Sequence, residues 1–283
     1  MMFMNARMYS VSAATRAAWT EVFEWVNRNS GLAPMMWLNH DPPLLISDMW
    51  HRNDLGCAMM CGLPTSLRHP APTILATVVP SPARYAGQPV YMTDLAVRAD
   101  APFERLEDTF GGVAGTTVPD SQSGYFAFRY RLIDVMRDHT PVYRKMVGHL
   151  LNARGVISAL SRGEIDIGPL DGYVHDLLRA TEPEFAGQVR ILETTAPTPM
   201  PPVVATAPLS TAQTQALRDA FQAAGSVEEL AHARRTLLIE RFCLPDVTFY
   251  DMLRERAQRV AQSPLPWPVG SSTDTAQGPQ RQP

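Results

Sequence analysis

Long apolar runs are missing from this 283-residue chain. No window holds 18 consecutive apolar residues, so no membrane-spanning helix is expected. Charge of one sign is missing too: Lys and Arg number 25 against 28 Asp and Glu, a net charge of −3. No global basic field draws such a protein to nucleic acid or to an anionic membrane. Cysteine is scarce. Cys57, Cys61 and Cys243 make an odd number without a dense framework, which argues against a disulfide scaffold. No second Cys/His pair at ligand spacing completes a zinc site around Cys57 and Cys61, and both read as small buried residues. The histidines show no metal-type spacing and no nucleophile–base arrangement stands out. No metal, no cofactor and no catalytic residue is therefore expected. No internal repeat is visible. The first ten residues lack a charged start followed by a long apolar core. The chain as encoded is thus expected in the cytoplasm, and in the periplasm if its start is misassigned.

What is present is an alternation of short β-like runs and helical patterns. Phe3 to Tyr9 reads as a strand. A helix capped by Ser10 or Ser12 runs to about Asn29, with Trp19, Val22, Phe23 and Val26 near a 3.6 period. Strands at 35–38 and 55–60 with a short helix between them complete the signature of a parallel α/β sheet. A strand at 73–79 and one long extended run at 90–98 follow. A second α/β pattern then begins: strand 112–118, helix 124–134, an uncertain strand at 143–150, helix 155–162, strand 165–170, helix 173–180 and strand 189–195. After a proline-rich crossing come a strand at 203–206, a helix through Ala224, and a second helix from Ser226 to about Phe242. For that helix Glu229, three residues past Ser226, suggests a capping box. A last helix spans 245–261. Two α/β units joined by two extended crossings, near 90–98 and 193–206, form two lobes with a cleft between them. The expected division is 1–95 with 200–262 as the first lobe, 96–199 as an inserted second lobe, and 263–283 as a tail disordered by composition.

The chemistry concentrates at Asp120-Ser121-Gln122-Ser123-Gly124-Tyr125, between a strand and a helix. A helix N-terminus leaves N–H groups unpaired and carries partial positive charge, so it suits an anion; a plain serine cap is the competing reading. Ligand sites in open α/β sheets lie at the carboxyl ends of strands, which also singles out Tyr9-Ser10 and Asp171-Gly172-Tyr173.

Asp94-Leu95-Ala96-Val97-Arg98-Ala99-Asp100, Asp108 with Gly111, Asp120-Ser121-Gln122-Ser123-Gly124-Tyr125 and Gly163-Glu164-Ile165-Asp166-Ile167-Gly168-Pro169-Leu170-Asp171 resemble the phosphonate-binding component of ABC importers over roughly residues 5 to 225. The resemblance implies a two-lobed type II periplasmic-binding-protein fold, a small anionic ligand such as phosphate or a phosphonate, an ABC permease as partner, and no reaction. It places Ser121, Ser123 and the N–H groups of Gly124 and Tyr125 on the anionic head. Tyr9 would be a pocket wall, His149 a polar ligand from the second lobe, and Asp171 a carboxylate toward an aminoalkyl group. Each has a structural reading beside this one: Asp171 as a helix cap, His149 as a structural histidine, Tyr9 as a core aromatic. His175 and Tyr85 are weaker candidates for the cleft. The alternative function is a cytosolic enzyme or ligand sensor on the same fold, acting on a small carboxylate or vitamin precursor.

Overall fold

The computed structural model describes residues 1–41, 44–135 and 141–263. The chain runs β1 (Phe3–Asn5), α1 (Ala13–Asn29), β2 (Met36–Trp37), α2 (Ile46–Trp50), β3 (Leu55–Met59), α3 (Gly62–Leu67) and β4 (Thr73–Pro80). It continues through β5 (Val90–Tyr91), β6 (Thr93–Arg98), β7 (Val113–Gly115), α4 (Ala127–Val135), β8 (Lys145–Val147), α5 (Ala153–Ser161), β9 (Gly168–Asp171), α6 (Gly172–Thr181) and α7 (Pro183–Ala186). The last part is β10 (Val189–Thr194), β11 (Thr198–Pro199), β12 (Pro202–Ala205), α8 (Thr211–Ala224), α9 (Ala231–Thr236), β13 (Ile239–Cys243) and α10 (Asp251–Gln262). The tail expected to be disordered from residue 263 lies, from residue 264, outside the described residues.

Six strands build one sheet in the order β13-β4-β12-β3-β1-β2. Three more build a second, β10-β6-β9, flanked by the parallel pair β7–β8. The first sheet is mixed rather than parallel. β1 runs parallel to β2 and β3, whereas β12 and β13, which return after the second unit, pair antiparallel. Strands buried on both faces read as unbroken apolar runs, and β3 and β4 are buried throughout apart from Thr73. Against this sheet Trp19, Phe23, Phe221 and Phe242 pack edge-on or tilted, with ring centroids 5.5–6.4 Å apart. Leu95, Val97, Phe128, Leu132 and Tyr143 form a separate core under the second sheet.

Several expectations need correction. β1 stops at Asn5, because the Asn5 side chain accepts from the Arg7 N–H at 2.8 Å and donates to the Leu38 carbonyl at 2.8 Å. Local side-chain bonds of this kind compete with the strand ladder, and Arg7–Tyr9 becomes a single 3₁₀ turn. The run at 90–98 is two strands in two sheets, β5 pairing with β11 and β6 with β9 and β10. The helix expected from Ser226 to Phe242 is a 3₁₀ turn at Glu228–Leu230, the short α9, and then β13 on the edge of the first sheet. Leu238, in the left-handed region at φ 53, breaks the helix. Glu229 does not close a capping box; it accepts from Trp25 Nε1 at 2.9 Å and from Arg28 at 3.3 Å.

One polar cluster ties the crossing strands to the second unit. Asp94 on β6, fully buried, accepts from Arg84 at 2.5 Å and 3.1 Å and from Thr194 on β10 at 2.8 Å, with His175 Nδ1 3.4 Å away. Tyr85 donates to Asp176 at 2.6 Å. Burial raises the Asp94 carboxyl, but its partners outweigh that and hold it below the ordinary carboxylate range. Tyr85 and His175 therefore serve this joint and do not reach the cleft.

Candidate functional site

Between the two sheets lies a cavity of about 950 Å³. Four helix starts converge on it, each capped by its own side chain. Ser12 and Thr15 exchange bonds of 2.8 and 3.1 Å at the head of α1. Ser121 Oγ accepts from Gly124 N at 3.0 Å, Asn152 Oδ1 from Gly155 N at 3.1 Å, and Asp171 Oδ1 from Val174 N at 3.0 Å. All four cap residues border the cavity. Because the N-terminal end of a helix carries partial positive charge, the cavity floor is a place where several such ends meet.

The Ser121 turn begins a wide π-type turn at Gln122–Phe126 that runs directly into α4. Gly124 is required here by space. A Cβ on it would fall 1.8 Å from Thr117 Oγ1, and the Gly124 carbonyl accepts from Thr117 N at 3.0 Å. The glycine thus locks the turn onto the strand end. The Gly124 N–H, expected to face a ligand, is taken by the Ser121 cap. Beside it, Thr117 Oγ1, packed against Gly124, and Gln122 Oε1 are buried without a hydrogen-bond partner among the described residues. Buried polar atoms left unmatched cost free energy, so these call for explanation.

Opposite the turn, Asp171 Oδ2 receives Tyr9 OH and Ser123 Oγ, each at 3.4 Å. Tyr9 is held by the edge of Tyr173, centroids 5.0 Å apart. Burial pushes the Asp171 carboxyl up to about 7, even though Val174 and Ser123 bond to it and favour its charged form. At neutral pH a large share of Asp171 is therefore an uncharged carboxylic acid, able to donate. Burial likewise raises the Tyr9, Tyr91 and Tyr173 hydroxyls and pushes the Cys61 thiol to about 12, so all stay protonated. Among the described residues no cluster of His, Cys, Asp and Glu is placed to hold a metal ion.

Of the residues singled out from sequence, Tyr9, Ser121, Ser123, Gly124 and Asp171 meet at this cavity. Tyr125 does not border it. Its ring lies 5.3 Å from Phe126, and its hydroxyl accepts from Arg129 at 2.9 Å. His149 does not border it either: it is exposed, with φ 58, and its N–H bonds the Thr117 carbonyl at 3.2 Å. Sequence reasoning missed Asn152, Arg154 and Arg16, which do border it. Asn152 was readable as an N-cap three residues before Gly155. Nothing in the sequence marks Arg154, whose Nη1 donates to Val11 O across the cleft at 3.0 Å and to Glu182 at 2.8 Å.

Residues 12–246 match the family model described as ABC transporter, phosphonate, periplasmic substrate-binding protein. The chain belongs to this family. It is accordingly a substrate-binding protein of an ABC transporter, not an enzyme, and its partners are a permease and a small ligand; the family works in the periplasm. No curated protein matches the chain's sequence. Similar solved structures include a binding protein component of an ABC phosphonate transporter from Pseudomonas aeruginosa, at 19% identity, 92% of this chain, 87% of that chain and a TM-score of 0.75. PhnD1 from Prochlorococcus marinus, solved with methylphosphonate, gives 12% identity, 93% and 98% coverage and 0.75. A Xanthomonas citri protein solved with ATP gives 19% identity, 92% and 98% coverage and 0.65. At such identities they establish the fold, which is the two-lobed type II architecture.

Proposed function

We propose that this substrate-binding protein captures a small phosphorus oxyanion, phosphate- or phosphonate-like, between lobes made of residues 1–95 with 200–262 and of residues 96–199. The observation that carries this reading is the meeting of four helix N-termini around Ser121, Ser123 and Asp171 in one cavity. Helix starts are ready-made anion sites. Ser123 and Tyr9 supply donors, and an uncharged Asp171 adds one instead of repelling the ligand. The methylphosphonate held by PhnD1 is of this chemical class. On this account His149 and Tyr125 join the ligand only if lobe closure moves them inward.

The test is a thermal-shift screen against phosphate, phosphite, methyl- and aminoethyl-phosphonate, sulfate and small carboxylates. A ligand that binds only the folded state raises apparent stability by about 2.7 kcal/mol at a hundredfold excess over Kd. Ser123→Ala should weaken the phosphorus ligand by roughly ten- to a hundredfold, since a hydrogen bond to a charged group is worth about 1.5–3 kcal/mol. No shift with any phosphorus oxyanion, or an unaltered Kd in Ser123→Ala, overturns the proposal.

A further inference from the structure

The cavity is much larger than a bare oxyanion requires. Methylphosphonate has five heavy atoms; at about 30 Å³ each, the share of a water molecule in the liquid, it fills roughly 150 Å³. The cavity's 950 Å³ lies near the upper end of the range found for drug-sized ligands, about 300–1,000 Å³. Away from Ser121 and Asp171 the wall is mixed: Met8, Val11, Leu44, Leu45, Ile46 and Leu151 lie among charged side chains, of which Arg7 is held by the His40 and Leu44 carbonyls and Arg154 by Val11 O and Glu182.

Three of these side chains are exposed, Leu44 at 55%, Leu45 at 38% and Leu151 at 43%. Single exposed leucines are ordinary on a protein surface. Here they come from segments more than 100 residues apart and line the same concavity, and such clustering marks a binding surface. Leu151 carries a second signal. Its φ is 62, in the left-handed region that a bulky residue avoids, and His149 at φ 58 precedes it by two. The loop is nonetheless firmly held. Leu150 N donates to Thr116 O at 3.1 Å, Asn152 N to Leu150 O at 2.7 Å, and the Leu150 carbonyl packs so closely on Gly155 that a Cβ there would fall 1.9 Å away. Backbone strain of this kind persists where the surrounding structure over-determines it, and it concentrates at functional positions. This strain is spent on presenting an exposed leucine to the cavity.

We propose that the ligand is an organophosphonate or phosphate monoester bearing an extended apolar substituent of about six carbons, which lies between Leu44–Ile46 and Leu151 while the oxyanion occupies the Ser121–Asp171 end. This rests on the oxyanion reading above and narrows it. Each methylene withdrawn from water contributes about fourfold in affinity when fully buried. In a cleft that stays partly open, hexylphosphonate should bind at least tenfold more tightly than methylphosphonate.

Isothermal titration of the full chain with methyl-, propyl-, hexyl- and phenyl-phosphonate tests it, together with the Leu151→Asn variant. Asparagine tolerates the left-handed backbone, so that variant keeps the loop. The expected result is affinity rising along the alkyl series, with Leu151→Asn removing at least threefold of the hexyl gain and leaving methylphosphonate within twofold. Methyl- and hexyl-phosphonate binding equally, or Leu151→Asn weakening every member alike, overturns this inference and leaves the oxyanion site standing. No binding by any member overturns both.

Discussion

Replacing Asp171 with asparagine should change how the ligand-free protein responds to pH. Burial raises this carboxyl from the ordinary 3.8 to about 7. Below about pH 4 the group is protonated in folded and unfolded chains alike. Between pH 4 and 7 the unfolded chain has lost the proton and the folded one keeps it, so stability falls as pH rises; above 7 the penalty is constant. A shift of about three units at about 1.4 kcal/mol each sets a ceiling near 4 kcal/mol. The substituted amide would have no charge to bury and would retain the oxygen that caps α6 through Val174 N. Urea unfolding of wild type and Asp171→Asn at constant ionic strength is the assay. The advantage of the variant should grow by roughly 2–3 kcal/mol between pH 5 and pH 8 and level off above. Two stability curves that run parallel within about 0.5 kcal/mol from pH 5 to 9 would show that Asp171 titrates like an ordinary surface carboxylate, and the argument for its neutral, donating form would fail.

Arg154→Gln removes the bond to Val11 that spans the cleft and the pair with Glu182. Stability should change by less than about 1 kcal/mol, as for other half-exposed pairs, while small-angle scattering of the ligand-free protein shifts to a larger radius of gyration; an unchanged scattering curve refutes the clamp. Gly124→Ala forces a Cβ against Thr117. It should cost about 1–3 kcal/mol and lower Tm by roughly 2–10 °C, with most of the loss recovered by adding Thr117→Gly; a wild-type Tm contradicts it. Asp94→Ala strands Arg84 in a buried cluster. The expected loss in urea is about 3–5 kcal/mol, nearer the lower figure because Arg84 keeps some exposure, and a loss under 1 kcal/mol refutes the cluster's role.

Local signals carried most of the architecture. The Ser12 cap and the apolar stripe of α1 are local, and the chain obeys them. The errors arose where distant partners decide. Ile239–Cys243 has a helical-looking surround, yet β4 offers it an open edge that only the folded sheet creates. The break at Met92 is set by which strands wait on either side, β11 for one half and β9 with β10 for the other. At the site, the strand-end rule located Tyr9, Ser121 and Asp171, because each is a strand-to-helix turn. It was silent on Leu44–Ile46 and Leu151, which only the folded chain brings to one cavity.

Two of the arginines that line the cleft are committed to the protein itself. Arg7 is bound to the carbonyls of His40 and Leu44, at 2.8 and 2.6 Å, and Arg154 to Glu182 and Val11. Both guanidinium groups therefore brace walls. On the proposed reading, recognition then falls to hydroxyls, helix ends, Arg16 near the head of α1 and an acid that is in part uncharged at neutral pH. Such a site selects by matching donors to acceptors more than by total charge. A ligand that leaves Ser123 or Asp171 unmatched forfeits about 1–3 kcal/mol per group, a roughly five- to 150-fold loss of affinity. The same groups span both lobes, since Tyr9 lies near the first strand and Asp171 caps a helix of the second unit. A ligand seated between them adds contacts only when the lobes are together, so the bonds that confer selectivity are also those that favour closure.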